Sequence, residues 1–123
     1  MNVVTTPLPM VEREPIDEFA SLYYHYEIEK EVEVISFVRK YPFLLSILEE
    51  TPCQIYRIFG EDILLRLELH HDPEEGWDEL FIVIKSAHSA EEANRLENRL
   101  AEEWFLDRIR DTRGKLNITE EPL

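Results

Sequence analysis

The chain contains 123 residues, and its 44% hydrophobic content supplies enough apolar surface for one compact domain. Its 27 acidic residues outnumber 13 basic ones and give a formal net charge of -14, which repels phosphate backbones and disfavours nucleic acid as a partner. No stretch approaches the roughly 20 apolar residues that cross a bilayer, and no signal-peptide pattern opens the chain, so we expect no membrane association and a cytoplasmic location.

The N-terminal segment differs from the rest of the chain in composition. It carries Pro7, Pro9 and Pro15 and shows no sustained hydrophobic period. We predict a flexible arm over residues 1–15, or an extended segment that lies on a partner, followed by a single α+β domain over residues 16–123.

Two helices are predicted before Pro42. Residues 19–28 fit both a two-residue period and one helical face, and we favour a helix. The next segment has aliphatic residues at helical spacing, which predicts a helix that ends before the proline. The residues on its predicted inward face are Ile28, Val32, Ile35 and Val38.

Two further helices are predicted between Pro42 and Gly60. Pro42 suits the first turn of the first one. Thr51 and Pro52 predict that a separate short helix begins there, with Thr51 as its N-cap, and that it ends at the glycine. The apolar face before this break consists of Leu44, Leu45, Ile47 and Leu48.

Residues 63–84 carry the clearest pattern in the chain. Two segments with alternating apolar residues predict an antiparallel hairpin with one buried face. Between them lies a polar loop of ten residues, 70–79. The predicted buried positions are Ile63, Leu65, Leu67 and Leu69 in the first strand, and Leu80, Ile82 and Ile84 in the second.

A helix and a third strand follow the hairpin. Ser89 and Glu92 have the spacing of a capping box, which predicts a long helix to about Arg110. Leu116 and Ile118 alternate with polar residues as a short strand, and the helix allows a crossover to a parallel pairing. The predicted inward stripe of the helix is Ala93, Leu96, Leu100 and Trp104. We therefore predict an α+β fold in which N-terminal helices precede a ββαβ unit, with a small, mainly antiparallel three-stranded sheet packed against helices.

The acidic hairpin loop is the leading candidate for a functional site. A focused negative patch accelerates encounter with a basic partner, and a tryptophan within it supplies contact area, although such a ring can also fold back to close its own loop. We expect a small interaction or regulatory module, such as an inhibitor or an antitoxin-like protein, that binds a protein partner with a basic surface. The predicted partner-binding residues are Asp72, Glu74, Glu75, Trp77, Asp78 and Glu79.

The alternative is a metal-binding protein or a metal-dependent hydrolase. Imidazole and carboxylate groups bind divalent metals, and the candidate ligands are His70, His71, Asp72 and Glu74. Adjacent residues in a strand point to opposite faces, so the two histidines converge only if a bulge turns one of them. A solvated acidic loop is therefore favoured, and we expect neither a cofactor nor enzymatic activity.

Cys53 is the single cysteine, so it excludes an internal disulfide and a Cys/His zinc array. At a predicted helix N-terminus its thiol is a candidate nucleophile, but a small buried packing group is favoured. The three glycines never cluster, which excludes a P-loop and a dinucleotide fingerprint. No catalytic residue is predicted.

Two remaining patterns concern surfaces. The aromatic stripe over residues 19–26 suits either a core face or the contact of a homodimer. The last helix ends in a basic segment, which together with the acidic loop predicts a dipolar molecule. Its basic residues are Arg108, Arg110, Arg113 and Lys115.

Overall fold

The computed structural model describes residues 18–123, in which helices pack on one face of a four-stranded sheet. The predicted flexible arm, residues 1–15, lies outside the described residues. The elements are α1 (Ala20–His25), β1 (Glu27–Ile28), α2 (Glu31–Lys40), α3 (Leu44–Phe59), β2 (Leu64–Asp72), β3 (Trp77–Ser86), α4 (Ala90–Leu100) and β4 (Leu116–Pro122). Helical turns continue from α4 to Thr112.

The sheet has the order β1-β2-β3-β4. The outer pairs are parallel and the central hairpin pair is antiparallel. The α+β class is confirmed, and β4 returns parallel to β3 as the crossover helix allows. The predicted three-stranded, mainly antiparallel sheet is wrong because it lacks β1. A strand of only two residues, Glu27 and Ile28, contains no alternation that a sequence pattern can reveal.

The inward face of α2 differs from the predicted one. Ile28 belongs to β1, and Val32 is 79% exposed. Lys30 has a φ of 52°, a left-handed conformation that separates the strand from the helix and resets the helical phase. Val38 is buried as predicted and Ile35 packs half-buried against the core, while Val34 and Phe37 take the other inward positions. Turning the phenylalanine ring inward buries more apolar area than turning Val32 inward.

A single helix, α3, replaces the two helices predicted between Pro42 and Gly60. Pro52 lies inside it, where its missing N–H leaves the carbonyl of Leu48 without a helical partner. The buried hydroxyl of Tyr26 donates to this carbonyl at 2.7 Å. Thr51 does not cap a new helix, because its Oγ1 donates to the carbonyl of Ile47 at 2.6 Å. The proline is therefore accommodated by a hydrogen bond from a distant residue.

The predicted helix start at Ser89 is confirmed, since Ser89 Oγ accepts the backbone N–H of Glu92 at 3.1 Å. The second bond of a capping box is not formed within the described residues, because both carboxylate oxygens of Glu92 bind Arg95. The predicted inward stripe is confirmed up to Leu100. A π-helical turn over Ala101–Phe105 then adds one residue to the spacing, so that Phe105 is buried while Trp104 is half-buried. Leu96 and Leu100 belong to the same core cluster as the buried residues of α3.

Replacing Tyr26 by phenylalanine tests the hydrogen bond at the proline. Tyr26→Phe leaves the buried Leu48 carbonyl without a donor and is expected to lower the free energy of unfolding by about 1–3 kcal/mol. Pro52→Ala supplies a backbone N–H for the same carbonyl, so Tyr26→Phe should cost less in that background, by at least about 0.5 kcal/mol. Denaturant unfolding of the four proteins measures the difference. Tyr56→Phe is the control, since the Tyr56 hydroxyl makes no hydrogen bond within residues 18–123. Equal costs in both backgrounds would refute this account.

The same tyrosine predicts a loss of stability at alkaline pH. Burial raises the pKa of Tyr26 well above its ordinary value of 10.0. Because the folded state holds the proton more tightly than the unfolded chain, the stability that this group contributes is complete below about pH 10 and falls as the pH rises toward the folded pKa. The difference in unfolding free energy between the wild type and Tyr26→Phe should therefore shrink between about pH 9 and about pH 11. A difference that stays constant over this range would contradict the prediction.

Candidate functional site

The hairpin is longer and its loop shorter than the sequence predicts. The two strands stay paired up to Asp72 and Trp77, so the loop contains only residues 73–76 instead of ten. His70 pairs with Glu79 and His71 with Asp78. Backbone hydrogen bonds between strands do not require apolar side chains, so the pairing continues beyond the last buried residues into the polar segment. Most of the predicted site residues thus lie on a paired ribbon.

The turn itself is held by Asp72. Its Oδ1 accepts the backbone N–H groups of Glu74 at 2.9 Å and Glu75 at 3.1 Å. The N–H of Gly76 donates to the Asp72 carbonyl at 2.8 Å, and Gly76 has a φ of 77°, which favours glycine. These bonds fix the conformation of the hairpin end before any partner binds.

The two histidines point to opposite faces of the ribbon, as the strand period requires. The ring of His70 stacks on Phe81, with 4.4 Å between centroids, and its Nε2 lies 2.9 Å from Glu68 Oε1. On the other face, His71 Nδ1 lies 2.6 Å from Asp78 Oδ1. The hydrogen bond from His70 is the main cause that lowers the pKa of Glu68. Each histidine is therefore engaged by its own carboxylate.

The four candidate metal ligands do not converge. Asp72 is occupied by the turn, and the histidines lie on different faces. Within residues 18–123, no group of three or more His, Cys, Asp or Glu side chains is placed to hold a metal ion. This geometry gives the metal hypothesis no support.

The acidic side chains of the hairpin end fall into two groups. Asp72 and Asp78 make the hydrogen bonds described above. In contrast, Glu74, Glu75 and Glu79 take part in no ion pair within the described part of the chain. Their charges are left for solvent or for a partner.

Trp77 is 55% exposed and lies on the wall of a cleft of about 580 Å³. The cleft forms because the hairpin extends past the helices: Leu67 is buried, Leu69 is half-buried and His71 is exposed along one face of β2. Side chains of α2 form the opposite wall. The lining includes Val32, Glu33, Phe37, Lys40, Tyr41, Leu69, Trp77, Asp78 and Lys115.

Three cations lie close to two neighbouring aromatic rings, Tyr41 on the lining of this cleft and Phe43 beside it, with 6.0 Å between the ring centroids. The ammonium groups of Lys40 and Lys115 lie 5.5 Å and 4.9 Å from the ring centroid of Tyr41. The guanidinium of Arg113 lies 4.3 Å from the centroid of Phe43. Arg110 lines a neighbouring depression together with Phe43 and Arg113. We define the cationic patch as Lys40, Tyr41, Phe43, Arg110, Arg113 and Lys115.

The sequence revealed only part of the cationic patch. The basic end of the last helix was predicted from Arg110, Arg113 and Lys115. Lys40 and the two rings were missed, because they precede α3 in the chain and reach the others only through folding. Arg108 was also predicted to be basic surface, but it forms ion pairs with Glu50 and Asp111.

Cys53 is exposed, so the prediction of a buried packing group is wrong. It lies in the middle of α3 rather than at a helix N-terminus, which removes the basis for an activated thiol. The buried positions nearby are Thr51, Pro52 and Ile55, on the opposite side of the helix. The continuity of α3 through the proline sets this orientation.

Part of the aromatic stripe over residues 19–26 packs in the core of the same chain. Phe19, Leu22 and Tyr26 are buried in the core, while Tyr23 and Tyr24 remain exposed. Tyr23 donates to Glu31, and this hydrogen bond is the main cause that raises the pKa of the tyrosine. A homodimer contact through the whole stripe is therefore not available.

In the part of the chain that the structure describes, no helix is long and apolar enough to cross a membrane. A comparison with known proteins finds no matching family model, no matching curated protein and no matching solved structure. Function must therefore be inferred from the surfaces themselves.

Titration with divalent metals checks the separation of the candidate ligands. Because the histidines and Asp72 are directed apart, calorimetric titration with zinc, manganese or nickel should show no saturable site. A binding curve that saturates at a simple stoichiometry and disappears in His71→Ala, but persists in the control His25→Ala, would overturn this expectation.

Proposed function

We propose that this protein is a small acidic interaction module that binds the basic surface of a protein partner through its hairpin end. The residues that would make the contact are Asp72, Glu74, Glu75, Trp77, Asp78 and Glu79. The observation that carries the proposal is the half-exposed Trp77 near three carboxylates, those of Glu74, Glu75 and Glu79, that form no ion pair within residues 18–123.

The chemistry of the hairpin end suits such binding. Tryptophan contributes a large contact area with few rotatable bonds, and it is enriched among residues that dominate binding energy. Unpaired carboxylates around it attract a basic surface and raise the rate of encounter. Since Asp72 already fixes the turn, little conformational entropy is lost on binding.

A module of this kind can regulate its partner by covering a basic functional surface. An inhibitor or antitoxin-like role in the cytoplasm is therefore part of the proposal. It requires neither a catalytic residue nor a cofactor, and we assign none. The net negative charge of the chain would repel nucleic acid and so prevent it from competing for the same site.

Capture of partners from a lysate of the source organism, at low and at high salt, tests this function. The wild type should retain a basic protein that high salt releases. Neutralising the hairpin end with Glu74→Gln, Glu75→Gln and Glu79→Gln should lower the association rate with that protein at least about tenfold and flatten its salt dependence. Trp77→Ala should mainly accelerate dissociation.

The matched control carries Glu61→Gln, Asp62→Asn and Glu91→Gln, which change the net charge equally at the opposite end of the sheet. These residues are exposed and form no ion pair within residues 18–123. If both triple variants bind with the same kinetics, the hairpin end is not the binding surface.

A further inference from the structure

Unpaired cations are concentrated in one place on this molecule. Half of the basic side chains in residues 18–123 form ion pairs: Arg57, Arg66, Lys85, Arg95, Arg99 and Arg108. Most of the others, Lys40, Arg110, Arg113 and Lys115, belong to the cationic patch. In a chain with 27 acidic residues, a group of cations without carboxylate partners is a surface prepared for an anion that comes from elsewhere.

The cationic patch and the acidic hairpin end border the same cleft. Lys40 and Lys115 line it together with Trp77 and Asp78, and both ammonium groups lie near the ring of Tyr41. A surface whose positive and negative halves lie side by side is complementary to itself under a twofold rotation. The rotation creates two equivalent contacts, and in each of them the negative half of one copy lies on the positive half of the other.

The hairpin end does not neutralise the patch within its own chain. No ion pair joins Glu74, Glu75 or Glu79 to Lys40 or Lys115 within residues 18–123. The paired strands and the turn held by Asp72 keep the hairpin end extended over the cleft. Both sets of charges therefore stay available to a second molecule.

An apolar centre lies between the two charged halves. Trp77 and Val32 are 55% and 79% exposed, and both line the cleft. Tyr41 and Leu69 add half-buried apolar surface beside them. Exposed apolar side chains ringed by charges are the arrangement found at the centres of protein interfaces.

Pairing through the edge strand β4 is a less suitable route to association. The backbone N–H of Ile118 donates to Asn117 Oδ1 at 2.8 Å. Pro122 has no N–H to donate. Since these donors are occupied or absent, the edge is protected against strand addition.

We propose that the basic surface bound by the hairpin end is the cationic patch of a second copy of this chain. Two copies form a symmetric homodimer in which each hairpin end lies on the other copy's patch, with Trp77 and Val32 near the axis. This inference rests on the proposed function, because the same hairpin residues do the binding, and it names the partner. At physiological salt the Debye length is about 8 Å, so the distant negative charges of the two copies are screened while the contacts at the interface persist.

Charge exchange tests the homodimer. One variant reverses the hairpin end with Glu74→Lys, Glu75→Lys and Glu79→Lys, and the other reverses the patch with Lys40→Glu, Arg113→Glu and Lys115→Glu. Each variant alone presents like charges at both contacts and should dimerise on the order of 100-fold more weakly than the wild type. Their equimolar mixture restores opposite charges at both contacts and should dimerise again. Sedimentation equilibrium of the full chain over a range of concentrations measures this.

The control is a single chain that carries the patch reversal together with Glu61→Lys, Asp62→Lys and Glu91→Lys. These changes return its net charge to the wild-type value at a distant site, so this chain should dimerise as weakly as the patch variant. Circular dichroism shows whether each variant folds. If the reversals unfold the chain, two neutral variants replace them. One carries Glu74→Gln and Glu75→Gln, and the other carries Lys40→Gln and Lys115→Gln. Their mixture should dimerise more tightly than either variant alone, because one of its two contacts keeps its opposite charges.

The outcomes distinguish this inference from the proposed function. A wild type that stays monomeric at every concentration overturns the homodimer, while the lysate capture still decides whether the hairpin end binds another protein. A wild-type dimer that the exchanged pair does not restore places the interface elsewhere and also overturns the inference. Loss of the dimer at about 1 M salt, where the Debye length is about 3 Å, together with restoration in the mixture, supports it.

Discussion

The hydrogen bond from Tyr26 to the Leu48 carbonyl joins the segment between α1 and β1 to helix α3. It compensates for the N–H that Pro52 lacks, so α3 continues for 16 residues to the glycine that precedes β2. It also anchors the residue immediately before β1, which fixes where that strand meets β2. The position of the hairpin relative to the helices thus depends on one buried donor, whose loss would leave a buried carbonyl unsatisfied.

The cleft follows from a difference in length between the two layers. β2 and β3 have 9 and 10 residues, and at about 3.3 Å per residue they span roughly 30 Å. The 10 residues of α2 span roughly 15 Å at about 1.5 Å each. The strands therefore extend past the helix, and their distal side chains lose the apolar cover that buries Leu67. Polar and charged residues at these positions keep the uncovered part of the ribbon compatible with water.

Local sequence patterns predicted the features that depend on interactions between residues close in sequence. The alternation in the hairpin and the N-cap at Ser89 were confirmed, because a strand face and a helix start depend on neighbouring residues. The predicted break at Pro52 was wrong because a residue 26 positions earlier supplies the missing partner. The acidic hairpin end was visible as composition, whereas Lys40 and its neighbours in the cationic patch come together only in the folded chain. The prediction placed Trp104 on the inward face of the last helix, where the structure has Phe105. The shift of one residue comes from a π turn, which has no sequence signature.

The distribution of charge is the feature that folding alone does not explain. A chain with a twofold excess of acids has carboxylates available for every cation, and arginines such as Arg57, Arg66 and Arg99 do bind them. Lys40, Arg113 and Lys115 form no ion pair within residues 18–123, and this has a small folding cost because exposed ion pairs contribute little stability. A large exposed tryptophan beside them is harder to attribute to folding, since burial would stabilise the chain by far more than one surface ion pair. Unpaired charge and uncovered aromatic surface occur together at one cleft, which is the combination expected where selection acts on binding rather than on stability.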